Sequence, residues 1–344
     1  MPRYALLTRE SSNRVFGASA PALLAAEAEA IGQHLSGGIS NGENQTLGGL
    51  HYFCFESPEV NAIDRFILSN LALARGLFEM VDGGALRPLP ATPLEWFDDD
   101  LITIQRYVGK TNEQFTHLLV NLAVAESVSA QSRTGVGERV ALFDPVSGRG
   151  STLNRGLMYG FDVSGVELDD ANVDQHRIFL TTYLKDHRVK HKAGSERIRK
   201  GVLAGTSAFE VAIRPAATEF NQTVRVARAS TDQTAELLRG RRFDVIAGDL
   251  PYGVHHASKK ATASRSGDRS PEGLVADSIH GWRKVMHPGG SLALSWNTFT
   301  LSRADLATLM VDAGLQVVEH PRSFGHRVDR QITRDLMVGR LPAA

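Results

Sequence analysis

Short apolar runs alternate with helical segments between residues 140 and 340, and this alternation constrains the fold more than any other feature. Runs of four to seven residues separated by helix-length segments are typical of buried parallel strands joined by crossover helices. The predicted strands are Val140–Phe143, Val163–Val166, Val224–Ala229, Phe243–Ala247, Ser291–Ser295, Leu315–Val318 and Thr333–Gly339, with a helix over Leu306–Ala313. The sequence therefore predicts a Rossmann-like α/β fold with a seven-stranded sheet.

The first part of the chain has a different pattern and is predicted to form a small α+β domain over residues 1–86. Its expected elements are a strand over Tyr4–Thr8, a helix over Pro21–Leu35, a loop over Ser36–Gly49, a strand over His51–Phe55 and a helix over Val60–Val81. Three prolines close together mark a linker over residues 87–105. The larger domain is then expected to cover residues 106–344.

Composition is that of a soluble globular protein, with 42% hydrophobic and 22% charged residues. No apolar stretch approaches the roughly 20 residues that span a bilayer. The apolar segment at the N-terminus is short and is soon followed by charged residues, unlike that of a secretory signal. A cytoplasmic protein without a membrane partner is expected. Cys54 is the only cysteine, which excludes an internal disulfide and a thiolate metal cluster, and we expect it in the core.

Charge is distributed unevenly along a chain whose formal net charge is zero. Residues 1–105 carry six arginines, no lysine and 13 acidic residues, a net charge of −7. The remaining residues carry 32 basic and 25 acidic side chains, a net charge of +7. A polyanion should therefore meet the C-terminal part, although surface charge also varies without any function.

A glycine-rich turn follows the first strand of the larger domain, over Asp144–Leu153. Gly148 and Gly150 would allow the backbone to approach a ligand closely, and Asp144 and Ser147 lie beside them. A dinucleotide is the alternative ligand, but its fingerprint requires a third glycine where Leu153 stands. No Gly-Lys-Ser/Thr follows, so the turn is not a Walker loop.

Acidic residues follow the next two strands. Glu167, which we favour over Asp169, could accept hydrogen bonds from ribose hydroxyls, and Asp232 could accept one from an adenine amino group. Together with Asp144 and the glycines they describe an adenosine pocket. The alternative is that each acid only caps a helix, and this weighs more for Asp232 because a helix follows it.

The segment Asp249-Leu250-Pro251-Tyr252-Gly253 follows the fourth strand. A carboxylate, a backbone carbonyl and an aromatic face at one strand end could hold a planar ring by its amino group and stack on it. Ordinary turn chemistry is the alternative, with the acid capping a turn. We predict that the first four residues are catalytic and that this is a site for methylating an exocyclic amine.

These motifs resemble the class I S-adenosylmethionine-dependent methyltransferases over about residues 100–340. The Asp249–Tyr252 segment is similar to the Asp/Asn-Pro-Pro-Tyr motif of the amino-methylating members. The tRNA guanine-10 N2-methyltransferase family is the subgroup it most resembles, with Leu250 in place of the first proline. Family members also carry an RNA-binding module at the front, a role that we do not assign to this short acidic domain.

The resemblance implies S-adenosyl-L-methionine as the cofactor and extends to the segment before the first strand. Here a helix start similar to the family's would cover the methionine end of the cofactor. The cofactor-binding residues implied by resemblance and residue chemistry together are Lys110, Thr111, Asn112, Thr116, Asp144, Ser147, Gly148, Gly150, Glu167, Asp232 and Asp249.

Two basic stretches could bind a polyanion, although each could also be an ordinary solvated surface. The first, after the second-strand helix, contains Lys185, Arg188, Lys190, Lys192, Arg197, Arg199 and Lys200. The second is a Ser/Gly-rich loop with His255, His256, Lys259, Lys260, Arg265 and Arg269. We predict substrate contacts from Tyr252, Gly253, His255, Lys259, Lys260 and Arg265. The adjacent histidines have no third ligand suitably spaced for a metal.

The first hypothesis is methylation of guanine N2 in tRNA. A DNA adenine-N6 or cytosine-N4 methyltransferase is the second, and such enzymes usually add a large target-recognition domain that we do not expect here. Methylation of a protein glutamine amide is the third. The contrasting class is a non-catalytic module that binds RNA or the cofactor. The sequence leaves the oligomeric state open.

Overall fold

The computed structural model describes residues 1–135, 137–197, 206–215, 221–251 and 270–343. It divides into two compact units. Unit 1 contains Met1–Leu94 and Glu319–Asp335, and unit 2 contains Glu95–Val318 and Leu336–Ala344. The sequence predicted a linker over residues 87–105 and one domain after it, so it did not foresee that a late segment joins the first unit.

Unit 1 is an α+β unit, as its sequence pattern indicated. Before residue 94 its elements are β1 (Arg3–Thr8), α1 (Arg14–Gly32), β2 (Ser40–Leu47), β3 (Leu50–Glu56), α2 (Ala62–Ser69), β4 (Ala74–Val81) and β5 (Ala85–Pro88). The strands form one antiparallel sheet in the order β2-β3-β1-β4-β5. Its core contains the buried rings of Phe53 and Phe55.

Two predictions for unit 1 are wrong. The segment expected as a loop, Ser36–Gly49, contains the polar edge strand β2, which pairs with β3 through a tight turn at Gly48 and Gly49. The segment expected as one helix, Val60–Val81, contains α2 and then β4. Strand β4 forms because β1 pairs with it along nearly its whole length, a long-range partner that local periodicity cannot reveal.

The first helix is longer than predicted. Asn13 caps α1 by accepting hydrogen bonds from the N–H groups of Val15 and Phe16, so the helix begins well before Pro21. Pro21 lies inside the helix, a position that usually costs a backbone hydrogen bond. Proline is commonest in the first turn, and the sequence prediction therefore started the helix too late.

Unit 2 alternates strands and helices. Up to residue 228 its elements are α3 (Asp100–Thr103), α4 (Glu113–Ala125), α5 (Val128–Gly135), β6 (Ala141–Asp144), α6 (Ser151–Met158), β7 (Asp162–Glu167), α7 (Asp170–Asp186), β8 (Lys190–Arg197), β9 (Ser207–Arg214) and β10 (Gln222–Arg228). The elements that follow are α8 (Thr234–Leu237), β11 (Phe243–Asp249), α9 (Pro271–Lys284), β12 (Met286–Asn297), α10 (Arg303–Asp312) and β13 (Gln316–Val317). The last strands of the chain are β14 (His326–Arg327), which belongs to unit 1, and β15 (Thr333–Arg340).

The order of strands in the large sheet is β13-β15-β12-β11-β6-β7-β10-β9-β8. Five central strands, β10-β7-β6-β11-β12, are joined by parallel pairing at every step. In chain order this is 3-2-1-4-5, the doubly wound arrangement, whose switch point lies between β6 and β11. Every strand predicted for the larger domain is present, with ends shifted by a few residues.

An antiparallel hairpin extends the sheet beyond β10. Strands β8 and β9 pair along their full length, and β9 pairs with β10. Of the first basic stretch, Lys190, Lys192 and Arg197 lie on β8 with exposed side chains, while Arg199 and Lys200 lie outside the described residues. Strands β8 and β9 were not predicted, although the basic stretch does follow a helix, as expected.

Within the described ranges, no helix is both long and apolar enough to cross a bilayer. The same part of the chain contains no group of three or more acidic, histidine or cysteine side chains arranged to hold a metal ion. Cys54 is buried, as its pattern indicated.

Candidate active site

The carboxyl ends of the five parallel strands bring most of the predicted site residues to one edge of the sheet. Parallel pairing places Asp144 opposite Gly165 and Asp249 opposite Ser295. Ligands of doubly wound sheets bind at this edge, close to the switch point. The site therefore lies around the loops that follow β6, β7, β10 and β11.

The glycine-rich turn connects β6 to α6 and has two left-handed residues, Gly148 with φ of 51° and Gly150 with φ of 84°. A Cβ at Gly150 would lie 2.3 Å from the imidazole of His176, so only glycine fits there. No heavy atom lies within 4 Å of the corresponding position at Gly148. Ser147 holds the turn to β7, because its N–H donates to the Val166 carbonyl at 2.9 Å.

Glu167 is bonded directly to the glycine turn. Its Oε2 accepts from the Gly148 N–H and its Oε1 from the Asp169 N–H, both at 2.8 Å. Asp169 instead caps α7 by accepting from the Ala171 N–H. Burial raises the pKa of the Glu167 carboxyl, although these hydrogen bonds oppose the shift. Of the two acids, Glu167 is therefore the one bonded to the glycine turn, and its role as the acceptor for ribose hydroxyls stays a prediction.

Asp144 is buried below the turn. Burial raises the pKa of its carboxyl to about 7, and the negative charges of Asp249 and Glu167 add to this shift. Hydrogen bonds from the Val146 N–H, at 2.9 Å, and from the Thr152 side chain act in the opposite direction. Three carboxyl groups therefore interact electrostatically within this edge of the sheet.

Asp232 lies in a short 3-10 turn, Thr231–Gln233, that follows β10. Ala229, just before this turn, is held beside the end of β7, because its N–H donates to the Glu167 carbonyl at 3.1 Å. Asp232 therefore follows the strand that pairs with the strand of Glu167.

Asp249 ends β11 and receives hydrogen bonds from two hydroxyl groups. Ser295 Oγ donates to its Oδ1 at 2.5 Å, and Thr111 Oγ1 donates to its Oδ2. Leu250 is buried, with 1% of its surface exposed, and its N–H donates to the Ser295 carbonyl at 2.8 Å. The residue that replaces the first proline of the family motif is therefore an integral part of the core.

The other predicted residues of the preceding segment have local roles. The Lys110 ammonium donates a hydrogen bond to the Ile102 carbonyl at 2.6 Å, and burial lowers the pKa of this amine. Asn112 caps α4 by accepting from the Gln114 and Phe115 N–H groups. The buried Thr116 hydroxyl donates to the Asn112 carbonyl of the same helix. Thr111 differs from these residues in that its hydroxyl is bonded to Asp249 of the predicted catalytic segment.

Pro251 is exposed at the end of the described segment. The predicted substrate-contacting residues all lie outside the described ranges: Tyr252, Gly253, His255, Lys259, Lys260 and Arg265. His256 and Arg269 of the same basic loop also lie outside them. The roles proposed for this loop remain predictions from sequence.

Tyr107 and Arg149 also lie beside the glycine turn, although no role was predicted for either residue. The Tyr107 hydroxyl lies 3.0 Å from Ser151 Oγ, and the Arg149 guanidinium stacks 4.8 Å from the Tyr107 ring centroid. Burial raises the pKa of the Tyr107 hydroxyl, and the charges of Asp249 and Asp144 contribute to the shift. The sequence did contain a signal for Arg149, because this residue stands between the two glycines of the turn.

No model of a known protein family matches the sequence, and no curated protein matches it. Among solved structures, the chain is similar to TrmN from Thermus thermophilus, with 13% sequence identity and a TM-score of 0.41. That likeness covers 86% of this chain and 57% of the Thermus protein, so this chain spans less than two thirds of its length.

Two further solved structures show similar levels of likeness. A precorrin-6y C5,15-methyltransferase from Geobacter metallireducens has 11% identity and a TM-score of 0.39, covering 73% of this chain and 99% of that one. Magnesium protoporphyrin IX methyltransferase from Synechocystis PCC 6803 has 12% identity and a TM-score of 0.35, covering 68% of this chain and 86% of that one. The fold is the Rossmann-like fold of class I methyltransferases. This assignment rests on the strand order and not on the TM-scores.

Proposed function

We propose that the chain is an S-adenosylmethionine-dependent N-methyltransferase that acts on an exocyclic amine of a nucleobase, guanine N2 in tRNA. The observation that carries the proposal is the position of Asp249. Its carboxylate ends the strand beside the glycine-rich turn, and the hydroxyls of Thr111 and Ser295 orient it. An oriented acceptor next to a cofactor-type turn is the arrangement that transfer to an amine requires.

The residues around the turn fit an adenosine-containing cofactor. Space is open beside Gly148, where a ligand could approach the backbone closely. Glu167 lies against the same residue and can still accept hydrogen bonds from ribose hydroxyls, because each carboxylate oxygen has two acceptor sites. Asp232 would receive the adenine amino group. Bound S-adenosylmethionine would supply an electrophilic methyl group.

The chain's own contribution is to hold the amine. The lone pair of an exocyclic amine is delocalised into its ring, which makes the nitrogen a weak nucleophile. Hydrogen bonds from the amine to the Asp249 carboxylate and the Leu250 carbonyl favour a pyramidal nitrogen whose lone pair is localised. The exposed Pro251 limits backbone freedom after these acceptors, and Tyr252 would stack on the base.

Two considerations support RNA over DNA or protein. Residues after 105 carry a net charge of +7, which favours a polyanionic substrate over a glutamine side chain. An aromatic face at the site needs an unpaired or extruded base, which folded RNA offers at loops and bulges. Guanine N2 in tRNA follows from the family resemblance of the Asp249–Gly253 segment.

The test combines cofactor binding with transfer of label. Titration calorimetry of the purified protein with S-adenosylmethionine should give a saturable heat, and no heat at millimolar concentration would overturn the enzyme proposal. Methyl donor labelled with tritium is then offered separately with total tRNA, with DNA and with protein extract. Label should enter tRNA; label in DNA alone or in protein alone would replace the proposed substrate.

A matched pair of variants tests the role of Asp249. Asp249→Ala should abolish transfer and should weaken binding of the donor far less than it lowers transfer. Asp170→Asn is the control, because this acid lies close in sequence to the same sheet edge but its side chain is 73% exposed. The control should transfer label like the wild type, and a fully active Asp249→Ala would contradict the assignment.

A further inference from the structure

Ser295 is bonded to both residues whose acceptor groups the proposed function assigns to the amine. It lies on β12, in parallel register with Asp249, and its side chain is completely buried. Its hydroxyl donates to Asp249 Oδ1 at 2.5 Å, while its carbonyl accepts from the Leu250 N–H at 2.8 Å. One residue of the neighbouring strand is thus bonded to two consecutive residues of the predicted catalytic segment.

We propose that Ser295 is a positioning residue that fixes the Asp249 carboxylate and the backbone at Leu250 for holding the substrate amine, with Thr111 as its counterpart on the other carboxylate oxygen. The inference rests on the proposed function. It assigns to Ser295, and to Thr111, a role that neither residue's type nor the family motif supplies.

The geometry explains how the carboxylate remains an effective acceptor. An aspartate side chain rotates about two bonds, and one hydrogen bond to each oxygen removes that freedom before the substrate arrives. Each oxygen has two acceptor sites, so a hydroxyl on each leaves sites for the amine.

The same contact explains how leucine can stand where the family motif has proline. Proline would restrict the backbone through its ring but has no N–H to donate. Leu250 has that N–H and uses it to bond the Ser295 carbonyl. Its side chain also packs in the core cluster that contains Trp296 and Phe143. Backbone restraint here therefore comes from β12 in place of a proline ring.

The alternative is that the Ser295 hydroxyl is only a buried group that needs a partner. Ser291 provides a matched comparison, since it lies on the same strand and is equally buried. Its hydroxyl donates to the Ala123 carbonyl at 2.5 Å, and it lies four residues before Ser295 in the strand. Ser291→Ala therefore removes a comparable hydrogen bond without touching the amine-holding pair.

The functional test measures transfer of labelled methyl to tRNA, donor affinity and thermal midpoint for Ser295→Ala, Ser291→Ala, Thr111→Val and Thr111→Ser. Loss of positioning should lower kcat on the order of tenfold or more in Ser295→Ala and Thr111→Val. The donor dissociation constant of Ser295→Ala should stay within about twofold, as expected for a group that acts on the substrate amine. Ser291→Ala should keep most of the activity, and Thr111→Ser, which keeps the hydroxyl, should retain more of it than Thr111→Val.

A second readout is independent of activity. Thermal midpoints of Ser295→Ala, Asp249→Ala and the double variant form a cycle, and bonded residues should show non-additive shifts. The same cycle with Ser291→Ala should be additive. Additive shifts for Ser295, or equal losses of kcat in Ser295→Ala and Ser291→Ala, would overturn the positioning role. A wild type that transfers no label to any substrate would instead overturn the proposed function.

Discussion

At the scale of single residues, the two left-handed glycines of the turn have different surroundings. Gly150 has a left-handed backbone and lies against the His176 ring, whose Nε2 bonds Asn154 at 3.0 Å. Burial lowers the pKa of His176 to about 4, so this ring is neutral near pH 7. Gly148 is also left-handed but faces open space.

Gly150→Ala should therefore destabilise the protein more than Gly148→Ala. A left-handed alanine costs roughly 1–2 kcal/mol at either position, and the contact with His176 adds to the cost only at Gly150. Urea unfolding measures both free energies. Gly148→Ala should fold well yet bind S-adenosylmethionine weakly, because its Cβ would project into the proposed cofactor space. Equal stability losses would contradict this reading of the turn.

The raised pKa of Asp144 should make the free energy of unfolding depend on pH. Because burial raises the pKa of this carboxyl to about 7, the folded state binds its proton more tightly than the unfolded chain, whose aspartates titrate near ~4. The stabilisation from this proton is complete below about pH 4 and is lost as pH rises through about 7.

Asp144→Asn removes the buried charge and should raise the thermal midpoint at pH 8 but change it little at pH 5. Differential scanning calorimetry at both pH values measures the difference. Asp170→Asn, at an exposed position, should show no such dependence on pH. A midpoint shift in Asp144→Asn that is the same at pH 5 and pH 8 would contradict a raised pKa at this carboxyl.

Part of the site was predictable because the relevant residues follow strands directly. Asp144, Glu167 and Asp249 each end a strand that the sequence indicated, and parallel strand ends meet at one edge. The contact between Ser295 and Asp249 was not predictable, because it depends on the register between two strands. Periodicity identifies a strand but does not set its alignment to within one residue.

At the scale of elements, the ends of β11 and β12 act together through Leu250 and Ser295. Leu250→Pro would recreate the family motif, yet we expect it to destabilise this chain. It leaves the Ser295 carbonyl without its donor, at a cost of about 1–3 kcal/mol, and removes a side chain that is 1% exposed.

Leu250→Met is the matched control, because it keeps both the N–H and an apolar side chain and should cost less than about 1.5 kcal/mol. Urea unfolding compares the two variants with the wild type. If Leu250→Pro were as stable as the wild type, the hydrogen bond to Ser295 would not contribute to holding this segment.

The elements of unit 2 were predicted better than those of unit 1, for a physical reason. Buried parallel strands are short continuous apolar runs, which stand out from the helices between them. In unit 1, β2 is a polar edge strand and β4 follows a helix after only four residues. Such strands form because neighbouring strands pair with them. The Gly48-Gly49 pair is typical of a tight hairpin turn, and it was the local signal for β2 that the prediction did not use.

At the scale of the whole molecule, the uneven charge predicts how tRNA binding should depend on salt. Lys190 and Lys192 are exposed on β8, in the part of the chain with net positive charge. If they contact phosphates, replacing both by alanine should weaken tRNA binding and reduce the slope of log affinity against log salt by about two. Filter binding at several salt concentrations measures the slope.

The control for this prediction is Arg75→Ala, an exposed cation on β4 in the acidic part of the chain. It should leave both the tRNA affinity and the salt slope unchanged. An effect of Arg75→Ala equal to that of the lysine pair would show that the charge asymmetry does not direct the polyanion.

The most direct test of amine methylation in tRNA is mass spectrometry of tRNA nucleosides from a strain that lacks this gene. Compared with the parent strain, one N-methylated nucleoside should disappear, with N2-methylguanosine as the expected species. A plasmid that carries the wild-type gene should restore it, and one that carries Asp249→Ala should not. An unchanged set of methylated nucleosides in the deletion strain would contradict the proposed function.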